Sequence, residues 1–335
     1  MSNSAPRTFD LPGFQAQSGV TFDAKLVYQT YGKLNSAGDN VVVIPTFYGG
    51  RHPDTEYFMT DGRAIDPDKY FVVIPNMFGN GLSSSPSNTD GAFGRGAFPL
   101  MSLYDNITAQ HKLLTEHLGV KHIKLVVGFS MGAQQTFQWG ASFPDMVSAI
   151  APICGSARTS AHNHLMIDGP KAALVADSSF KEGWYEKPPL TGILAFGRVY
   201  AGWLWSQTFF RERLYENLGL QSTEDVVRFT QNYFLQSDAN DLLAMAATWQ
   251  NADISANGVY ENNFDAALEA IHCRAIVMPS TSDLYFRVPD NEYEVKRMPN
   301  AELRPINSDY GHAAGFGAST ADNEFIDKAL LELLT

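Results

Sequence analysis

The fold of this chain is decided by one short stretch, Leu125-Val-Val-Gly-Phe-Ser-Met-Gly132. Its last five residues match the pattern G-x-S-x-G, with Ser130 between two glycines. The apolar run before the pattern predicts a buried strand, and residues 133–139 after it predict a helix. Glycines suit such a sharp strand-to-helix turn, because a side chain at either flanking position would clash there. An ordinary glycine-rich turn can show the same five residues, but this flanking context favours a nucleophilic serine.

Further strands are predicted from short apolar runs rich in β-branched residues, as expected for strands buried on both faces. Strands that alternate with helices predict a mostly parallel sheet with helices on both faces, and the serine turn makes this an α/β-hydrolase fold. Residues 20–31 alternate and predict an antiparallel edge strand, while residues 105–118 and 133–142 predict helices. The predicted buried strands are residues 40–44, 70–75, 123–129, 147–152, 275–279 and 301–306.

The alternation of predicted strands and helices is interrupted between about residues 160 and 260. This segment contains four of the five tryptophans and reads as helical and irregular. We therefore predict an inserted helical lid that covers the carboxyl edge of the sheet. The expected division is a first core part at residues 1–159, a lid at residues 160–260 and a second core part at residues 261–335.

The composition indicates an acidic protein with a large core. Hydrophobic residues make up 44% and charged residues 18% of the 335 residues, and the formal net charge is -12. Such a balance argues against a basic face for nucleic acid or acidic membranes, so we expect neither as a partner. The apolar stretch of residues 188–210 is interrupted by Arg198 and several glycines, which predicts an aromatic-rich lid and no membrane anchor.

The two cysteines, Cys154 and Cys273, do not form a C-x-x-C pattern. They are expected to be buried structural thiols in a reducing compartment. Residues 1–14 contain charged residues and two prolines but no apolar core of a signal peptide, so no secretory signal is expected. These features together predict a cytoplasmic protein.

A serine hydroxyl needs a base that is held in place by a third group. In this fold the chain order is serine, then acid, then histidine. His312 follows the last predicted strand in a loop, and Asp283 directly follows the strand at residues 275–279. Asp290 and Asp309 compete for the role of the acid, but Asp290 lies further from the strand and Asp309 is only three residues from His312. We therefore predict the triad Ser130, Asp283 and His312.

An oxyanion that develops on the substrate needs two backbone donors. One donor is expected to be the N–H of Met131, directly after the nucleophile. The other is expected in the loop Pro45-Thr-Phe-Tyr-Gly-Gly50, which follows an early strand. Phe47 is the first choice there and Tyr48 the second.

Two further patterns could indicate a cofactor or a metal, but both are incomplete. Gly79-Asn-Gly81 follows a predicted strand, yet Ser84 stands where a dinucleotide-binding G-x-G-x-x-G pattern has its third glycine. His162-x-His164 has the spacing of a metal pair but lacks an evident third ligand. We expect neither a metal nor a cofactor.

The chain resembles the homoserine O-acetyltransferase family over most of its length outside the lid. The resemblance implies an α/β-hydrolase fold with a helical lid, a Ser–Asp–His triad, a covalent acyl-enzyme in a deep tunnel and, commonly, a homodimer formed through the lid. The matching residues are Asn80-Gly-Leu-Ser-Ser-Ser-Pro86, Phe98-Pro99, Asp105, residues 110–119 and 128–139, Phe143-Pro-Asp145, Ser282-Asp-Leu284 and Gly311-His312.

Departures from the family pattern concern the substrate. In homoserine acetyltransferases the catalytic histidine is followed by an aspartate that is implicated in holding the substrate ammonium, whereas this chain has Ala313. Leu204-Trp-Ser-Gln207 replaces a Tyr-Arg-Ser lid pattern, so that Trp205 is expected at the substrate site. Arg198 matches a family arginine expected to hold the substrate carboxylate. The lost acid and the aromatic lid favour the branch of the family that hydrolyses short neutral esters, although plain lid packing explains any single ring equally well.

Three functions follow, and the first is preferred. The chain is predicted to be a carboxylesterase for short-chain, acetate-type esters that acts on a small-molecule ester through an acyl-enzyme. The second hypothesis is an O-acyltransferase that moves an acyl group from an acyl-CoA to homoserine or another alcohol, with acetyl-CoA as co-substrate. The third is a non-catalytic ligand-binding protein, against which the complete triad argues.

Overall fold

A computed structural model describes residues 5–335 and shows one mixed sheet within them. The expected sheet is confirmed: every predicted buried run overlaps a strand. The strands are β1 (Arg7–Gln15), β2 (Thr21–Tyr31), β3 (Val41–Val43), β4 (Phe71–Pro75), β5 (Ile123–Phe129), β6 (Ala149–Ile153), β7 (Arg274–Val277) and β8 (Ala301–Leu303).

The strands lie in the order β1-β2-β4-β3-β5-β6-β7-β8. Strands β3 to β8 pair in parallel, whereas β2 pairs antiparallel with both β1 and β4. The antiparallel direction of β2 was predicted correctly, but its place at the edge was wrong, because β1 pairs with its outer side. The parallel strands bring their carboxyl ends to one edge of the sheet, and polar residues that follow them meet there.

Helices connect most of the parallel strands, and a group of them is inserted between β6 and β7. The predicted helix at residues 105–118 is observed as α1, extended by a turn of π-helix at Leu113–His117. The helices are α1 (Leu103–Lys112), α2 (Met131–Ser142), α3 (Ala161–Val175), α4 (Leu190–Leu204), α5 (Gln207–Arg211), α6 (Thr223–Phe234), α7 (Ala239–Gln250), α8 (Phe264–Glu269), α9 (Val288–Val295) and α10 (Thr320–Leu334).

The core forms on both faces of the sheet, because successive strand residues point to opposite sides. In β3, Val41 and Val43 pack into the apolar cluster on one face, whereas Val42 packs into the cluster on the other. A third apolar cluster lies where the inserted helices meet the sheet edge. It includes Tyr48 from the core and Phe196 from α4, so the inserted helices pack directly on the loop that follows β3.

Three of the inserted helices begin at serine caps, and α7 is tied to the core by a polar contact. The hydroxyls of Ser160, Ser206 and Ser222 accept the backbone N–H three residues further on, at the start of α3, α5 and α6. Such caps satisfy one of the unpaired N–H groups of a helix start. The carboxylate of Asp241 in α7 accepts both the N–H and the hydroxyl of Ser87 in the core. Within residues 5–335, no helix has the length and apolar character needed to span a membrane.

Candidate active site

Ser130 lies on a sharp turn between β5 and α2, with φ 57° and ψ -124°. A non-glycine residue rarely adopts such a backbone, which costs on the order of 1–3 kcal/mol. The two flanking glycines permit the turn. A Cβ at Gly128 would lie 2.2 Å from the carbonyl group of Gly132, and a Cβ at Gly132 would lie 2.7 Å from the oxygen of Pro45. The predicted elbow is therefore present, and the hydroxyl lies at the carboxyl edge of the sheet.

Backbone hydrogen bonds fix this turn on both sides. The N–H of Ser130 donates to the carbonyl of Ile153 at the end of β6, over 3.0 Å. The carbonyl of Ser130 accepts the N–H groups of Ala133 and Gln134, over 2.9 and 3.1 Å. Since α2 begins at Met131, the positive end of its dipole lies directly behind the serine.

Asp283 and His312 meet at the same edge of the sheet. Oδ2 of Asp283 lies 2.6 Å from Nδ1 of His312, and both side chains are buried. Oδ1 of Asp283 accepts the backbone N–H groups of Tyr285 and Phe286, over 3.0 and 3.1 Å. His312 belongs to the short helix Gly311–Gly315. Within residues 5–335 the His312 ring is bonded to no other carboxylate.

The two competing aspartates lie elsewhere. Asp290 is in the first turn of α9, where burial raises the pKa of its carboxyl against the opposing effects of Arg287 and Arg158. Asp309 contacts the inserted helices through its backbone carbonyl, which accepts the hydroxyl of Ser206. The geometry therefore brings Asp283 and not its competitors to the imidazole.

Ser130 and His312 line the same cavity. Nε2 of His312 is buried and has no hydrogen-bond partner within the described part of the chain. It therefore forms no hydrogen bond with the Ser130 hydroxyl in this structure. Nε2 lies on the side of the ring opposite the nitrogen that contacts Asp283. Contacts of this kind are often long without substrate and tighten when it binds.

The predicted oxyanion donors are also at this site. Phe47 follows β3 and lines the cavity beside Phe129 and Ser130, and Met131 is the first residue of α2. Within residues 5–335, the backbone N–H groups of Phe47 and Met131 donate to no protein acceptor. Tyr48, the second choice, turns its phenol into the inserted helices, where it donates to the carbonyl of Leu242.

The cavity has a volume of about 470 Å³ and mostly apolar walls. Burial raises the pKa of the phenols of Tyr48, Tyr200 and Tyr233, so these rings are neutral. The residues that line it are Phe47, Tyr48, Asp54, Phe129, Ser130, Tyr200, Leu204, Trp205, Leu218, Leu220, Phe229, Thr230, Tyr233, Phe234, His312, Ala313, Phe316, Gly317 and Ala318.

Two of the three predicted substrate residues line the cavity, and the third does not. Ala313 and Trp205 are there, in one apolar cluster with Phe209, on whose ring the Trp205 indole stacks. Arg198 lies on the outer face of α4, where its half-exposed guanidinium is paired with Glu224. The structure thus does not bring Arg198 to the site, because its neighbours Phe196 and Tyr200 occupy the inward face of the helix.

Sequence reasoning missed the wall that α6 contributes. Four residues of this helix line the cavity: Phe229, Thr230, Tyr233 and Phe234. Their spacing at i, i+1, i+4 and i+5 is that of one helix face, which was a usable signal within an apparently irregular segment.

The glycine turn of the weak dinucleotide pattern is held by internal contacts. In the glycine turn the N–H of Gly79 donates to the carbonyl of Ser84, and that of Gly81 donates to the hydroxyl of Ser85. These groups are thus occupied and form no cradle for a phosphate. No set of three or more potential metal ligands is found among the described residues. Cys154 and Cys273 are free buried thiols, and burial raises the pKa of both.

Comparison with known proteins identifies the family of this chain. The family described as the alpha/beta hydrolase fold matches residues 39–316. This chain belongs to that family. An ethyl acetate hydrolase from Pseudomonas veronii is 37% identical over 92% of this chain and 89% of its own length. The solved structure of the acetyl esterase MekB matches with a TM-score of 0.95 and 35% identity, over 99% of this chain and 97% of the other.

The resemblance to homoserine O-acetyltransferases is confirmed as well. The enzyme of that name from Trichormus variabilis is 30% identical over 92% of this chain and 88% of its own length. The esterase relatives are more similar than this enzyme and extend over nearly the whole chain. Their similarity supports an ester hydrolase function for this protein.

Proposed function

We propose that this protein hydrolyses short-chain, acetate-type esters through a covalent acyl-enzyme on Ser130. The observation that carries the proposal is the placement of Ser130 and of the Asp283–His312 pair on the wall of one mostly apolar cavity. The relatives that hydrolyse ethyl acetate or acetyl esters support the substrate class. A cavity of about 470 Å³ has room for a small ester and its leaving alcohol.

In the first half-reaction the hydroxyl oxygen of Ser130 attacks the ester carbonyl carbon. Nε2 of His312 takes the hydroxyl proton as the C–O bond forms, and Asp283 holds the resulting imidazolium at Nδ1. The imidazolium then gives this proton to the departing alkoxide, which leaves as the alcohol. The acyl group remains on Ser130 as an ester.

In the second half-reaction water deacylates the enzyme. Nε2 of His312 takes a proton from the water, whose oxygen attacks the acyl carbon, and the proton then returns to the Ser130 oxygen as the acid leaves. In both half-reactions the N–H groups of Phe47 and Met131 are the proposed donors to the oxyanion. All of this chemistry uses serine, imidazole, carboxylate and backbone groups, so we propose that it proceeds without a metal or a cofactor.

The surroundings of Ala313 support water over an amino-alcohol acceptor. Ala313 is buried in an apolar cluster with Trp205, Phe209, Tyr215 and Val226. An ammonium group placed there would lose its hydration without gaining a counter-charge, at a cost of several kcal/mol. Asp54 also lines the cavity, where its Oδ2 accepts the N–H of Arg51, but it does not belong to the apolar cluster around Ala313.

Acyl transfer from an acyl-CoA to homoserine or another alcohol is the second candidate function. The similarity to a homoserine O-acetyltransferase over 92% of the chain favours it. The first half-reaction is the same, and only the group that deacylates Ser130 differs. In that case acetyl-CoA would enter as a co-substrate.

We propose that the protein is a cytoplasmic homodimer. Its proposed partner is a small-molecule ester, and neither nucleic acid nor a membrane is a proposed partner. The two free buried thiols support the compartment, and the net charge of -12 supports the absence of nucleic-acid and acidic-membrane partners. Exposed apolar side chains on α3 and α4, among them Leu165, Leu190 and Val199, support contact through the lid. Light scattering on the wild type and on Leu165→Lys tests the dimer: a monomeric wild type would exclude it.

The proposed division into core residues 1–159 and 261–335 and lid residues 160–260 is supported by the run of helices α3 to α7. The first four residues of the core part lie outside the described residues. Limited proteolysis tests the division, since cleavage in the connections near residues 160 and 260 is expected before cleavage within the sheet.

The decisive experiment combines a short ester with removal of the nucleophile. Wild type is expected to hydrolyse ethyl acetate, and Ser130→Ala to lose about six orders of magnitude in kcat while it remains folded. Ser142→Ala at the far end of α2 is the matched control and should retain wild-type kcat. Near-wild-type hydrolysis by Ser130→Ala would remove the nucleophile from the proposal, and transfer to homoserine that is faster than hydrolysis would favour the second candidate.

A further inference from the structure

A chain of buried amide groups links the nucleophile helix to the loop after β3. The indole N–H of Trp139 donates to Oε1 of Gln110 over 2.9 Å. Nε2 of Gln110 donates to Oε1 of Gln135 over 2.7 Å, and Nε2 of Gln135 donates to the carbonyl oxygen of Thr46 over 2.7 Å. All four side chains are buried.

Trp139 sets the donor-to-acceptor direction of every hydrogen bond in this series. An indole N–H can only donate, so it requires the oxygen of the Gln110 amide on its side. The NH₂ group of Gln110 then faces Gln135 and requires the oxygen of that amide. The NH₂ group of Gln135 therefore faces the carbonyl of Thr46, which can only accept, and it also reaches the carbonyl of Met131 over 3.5 Å. No other orientation of the two amides gives all three hydrogen bonds a donor and an acceptor.

This last bond bears on the proposed oxyanion site through the peptide unit between Thr46 and Phe47. In a trans peptide the carbonyl and the N–H of one unit point in opposite directions. Holding the Thr46 carbonyl toward α2 therefore turns the Phe47 N–H away from Gln135. That N–H meets no protein acceptor within residues 5–335, and Phe47 lines the cavity beside Ser130.

Thr46 is held at two further atoms. Its N–H donates to the carbonyl of Pro75 over 3.3 Å, and its hydroxyl accepts the N–H of Met77 over 3.0 Å. These bonds hold the residue at the carboxyl end of β4, and among the described residues only Gln135 holds its carbonyl, from the side of the nucleophile helix. Gln135 thus ties the two segments that carry the proposed oxyanion donors.

We propose that Gln135 is a positioning residue that aims the Phe47 N–H at the oxyanion, with Gln110 and Trp139 orienting its amide. The inference rests on the proposed function, since it concerns the oxyanion site of that reaction. An oxyanion donor acts through its preset direction, and loss of one donor costs roughly 10²–10³ in kcat. A donor that is present but misaligned loses part of that effect.

The test replaces Gln135 by methionine, which has a similar shape and no hydrogen-bond donor. Gln138→Met is the matched control, because Gln138 is equally buried in the same helix but donates to Ser142 and to the carbonyl of Ile254. Measurements are kcat and KM for ethyl acetate, and the affinity for a trifluoromethyl ketone, which forms a tetrahedral oxyanion adduct with the serine. Melting temperatures of both variants show the structural cost alone.

Gln135→Met is expected to lower kcat by about 10–100-fold and to leave KM within about twofold, because the bond acts on the transition state. The affinity for the ketone should fall by a similar factor. Gln138→Met should keep both quantities within about threefold of wild type even where it melts at as low a temperature. Wild-type kcat and ketone affinity in folded Gln135→Met, or an equal loss in Gln138→Met, would overturn the proposal.

Trp139→Phe keeps the test decisive if Gln135→Met does not fold. It removes the donor that orients Gln110 and leaves both glutamines in place, so a fall in kcat without a change in KM is expected. Unchanged kcat in this variant would overturn the inference. Failure of the proposed function looks different, since then the wild type would not hydrolyse ethyl acetate or Ser130→Ala would remain active.

Discussion

Oδ2 of Asp283 lies 2.6 Å from Nδ1 of His312, and neither side chain has appreciable contact with solvent. The second oxygen of the carboxylate accepts two backbone N–H groups in the turn that follows. The carboxylate is thus held at both oxygens before any substrate binds. A ring held in this way keeps one tautomer and one orientation, which leaves Nε2 as the free nitrogen.

Replacement of Asp283 by asparagine is expected to lower kcat by about 10⁴-fold. The amide still accepts the backbone N–H groups through its oxygen, but its NH₂ group then faces Nδ1 and favours the wrong tautomer of His312. Asp290→Asn and Asp309→Asn are the controls, since neither carboxylate contacts the imidazole, and both should keep kcat within a few-fold of wild type. Steady-state kinetics on ethyl acetate decide: a greater loss at Asp290 or Asp309 would transfer the role of the acid.

The glycines that flank Ser130 give a second prediction, on stability and activity together. Gly128→Ala places a Cβ 2.2 Å from the Gly132 carbonyl group and is expected to destabilise the fold by about 3 kcal/mol or more. Gly132→Ala places a Cβ 2.7 Å from the Pro45 oxygen, so it should push the Phe47 loop away from α2 and lower kcat. Urea unfolding and kinetics of both variants provide the measurement.

Gly202→Ala in α4 is the control for these two changes. A Cβ at Gly202 has open space around it, and alanine is favoured over glycine in a helix, so this variant should gain roughly 0.5–1 kcal/mol. If Gly128→Ala is as stable as wild type, the close approach of Gly128 to the Gly132 carbonyl group does not constrain this turn.

Much of the fold could be predicted because it depends on local patterns. The β-branched runs gave the parallel strands, and the serine between glycines gave the elbow. Strand β1 was missed because most of its side chains are exposed and a register shift between Leu11 and Phe14 interrupts its alternation. Its two buried residues, Leu11 and Phe14, are three positions apart, so the strand lacks a period-2 signal.

The lid residues were harder to place for a different reason. Arg198 follows Phe196 by two residues, which in a helix places it roughly 200° around the axis from that buried ring. Matching a family pattern by sequence ignores this rotation, and it assigned to the pocket a side chain that lies on the outer face. The link from Gln135 to Thr46 was not predictable either, since it joins residues that are far apart in sequence.

Glu294 gives a prediction on pH. Burial raises the pKa of this carboxyl to about 8, although it accepts bonds from Asn291 and from the N–H of Ala157, and Asp290 nearby acts in the same direction as burial. In the unfolded chain the ordinary value is 4.5. Because the folded pKa is the higher one, the contribution of Glu294 to stability is fully present below about pH 4.5 and is lost as the pH rises through about 8.

Glu294→Gln cannot ionise, so its stability relative to wild type should improve between pH 5 and pH 8.5, by an amount on the order of a few kcal/mol. Urea unfolding at the two pH values measures this change. Glu292→Gln, an exposed position on the same helix, should show no such trend. A stability difference between Glu294→Gln and wild type that is independent of pH would mean that Glu294 does not titrate in this range.

The last prediction concerns whether water or an amino-alcohol takes the acyl group from Ser130. Wild type is expected to hydrolyse ethyl acetate and to transfer little acetyl from acetyl-CoA to homoserine, because Ala313 offers no charge to the acceptor ammonium. Ala313→Asp adds a carboxylate beside His312. A charge-assisted hydrogen bond to the ammonium contributes roughly 1.5–3 kcal/mol, so the ratio of transfer to hydrolysis should rise about ten- to a hundredfold.

The same carboxylate lies among Trp205, Phe209 and Tyr215, so Ala313→Asp should also melt at a lower temperature than wild type. Ala313→Asn has nearly the same size and no charge, and it separates the two effects: it should alter packing without raising the ratio of transfer to hydrolysis. Product analysis for O-acetylhomoserine and acetate gives that ratio directly. An equal rise in both variants would assign the change to shape, and efficient transfer by the wild type would show that this cavity holds an ammonium group without an acid at position 313.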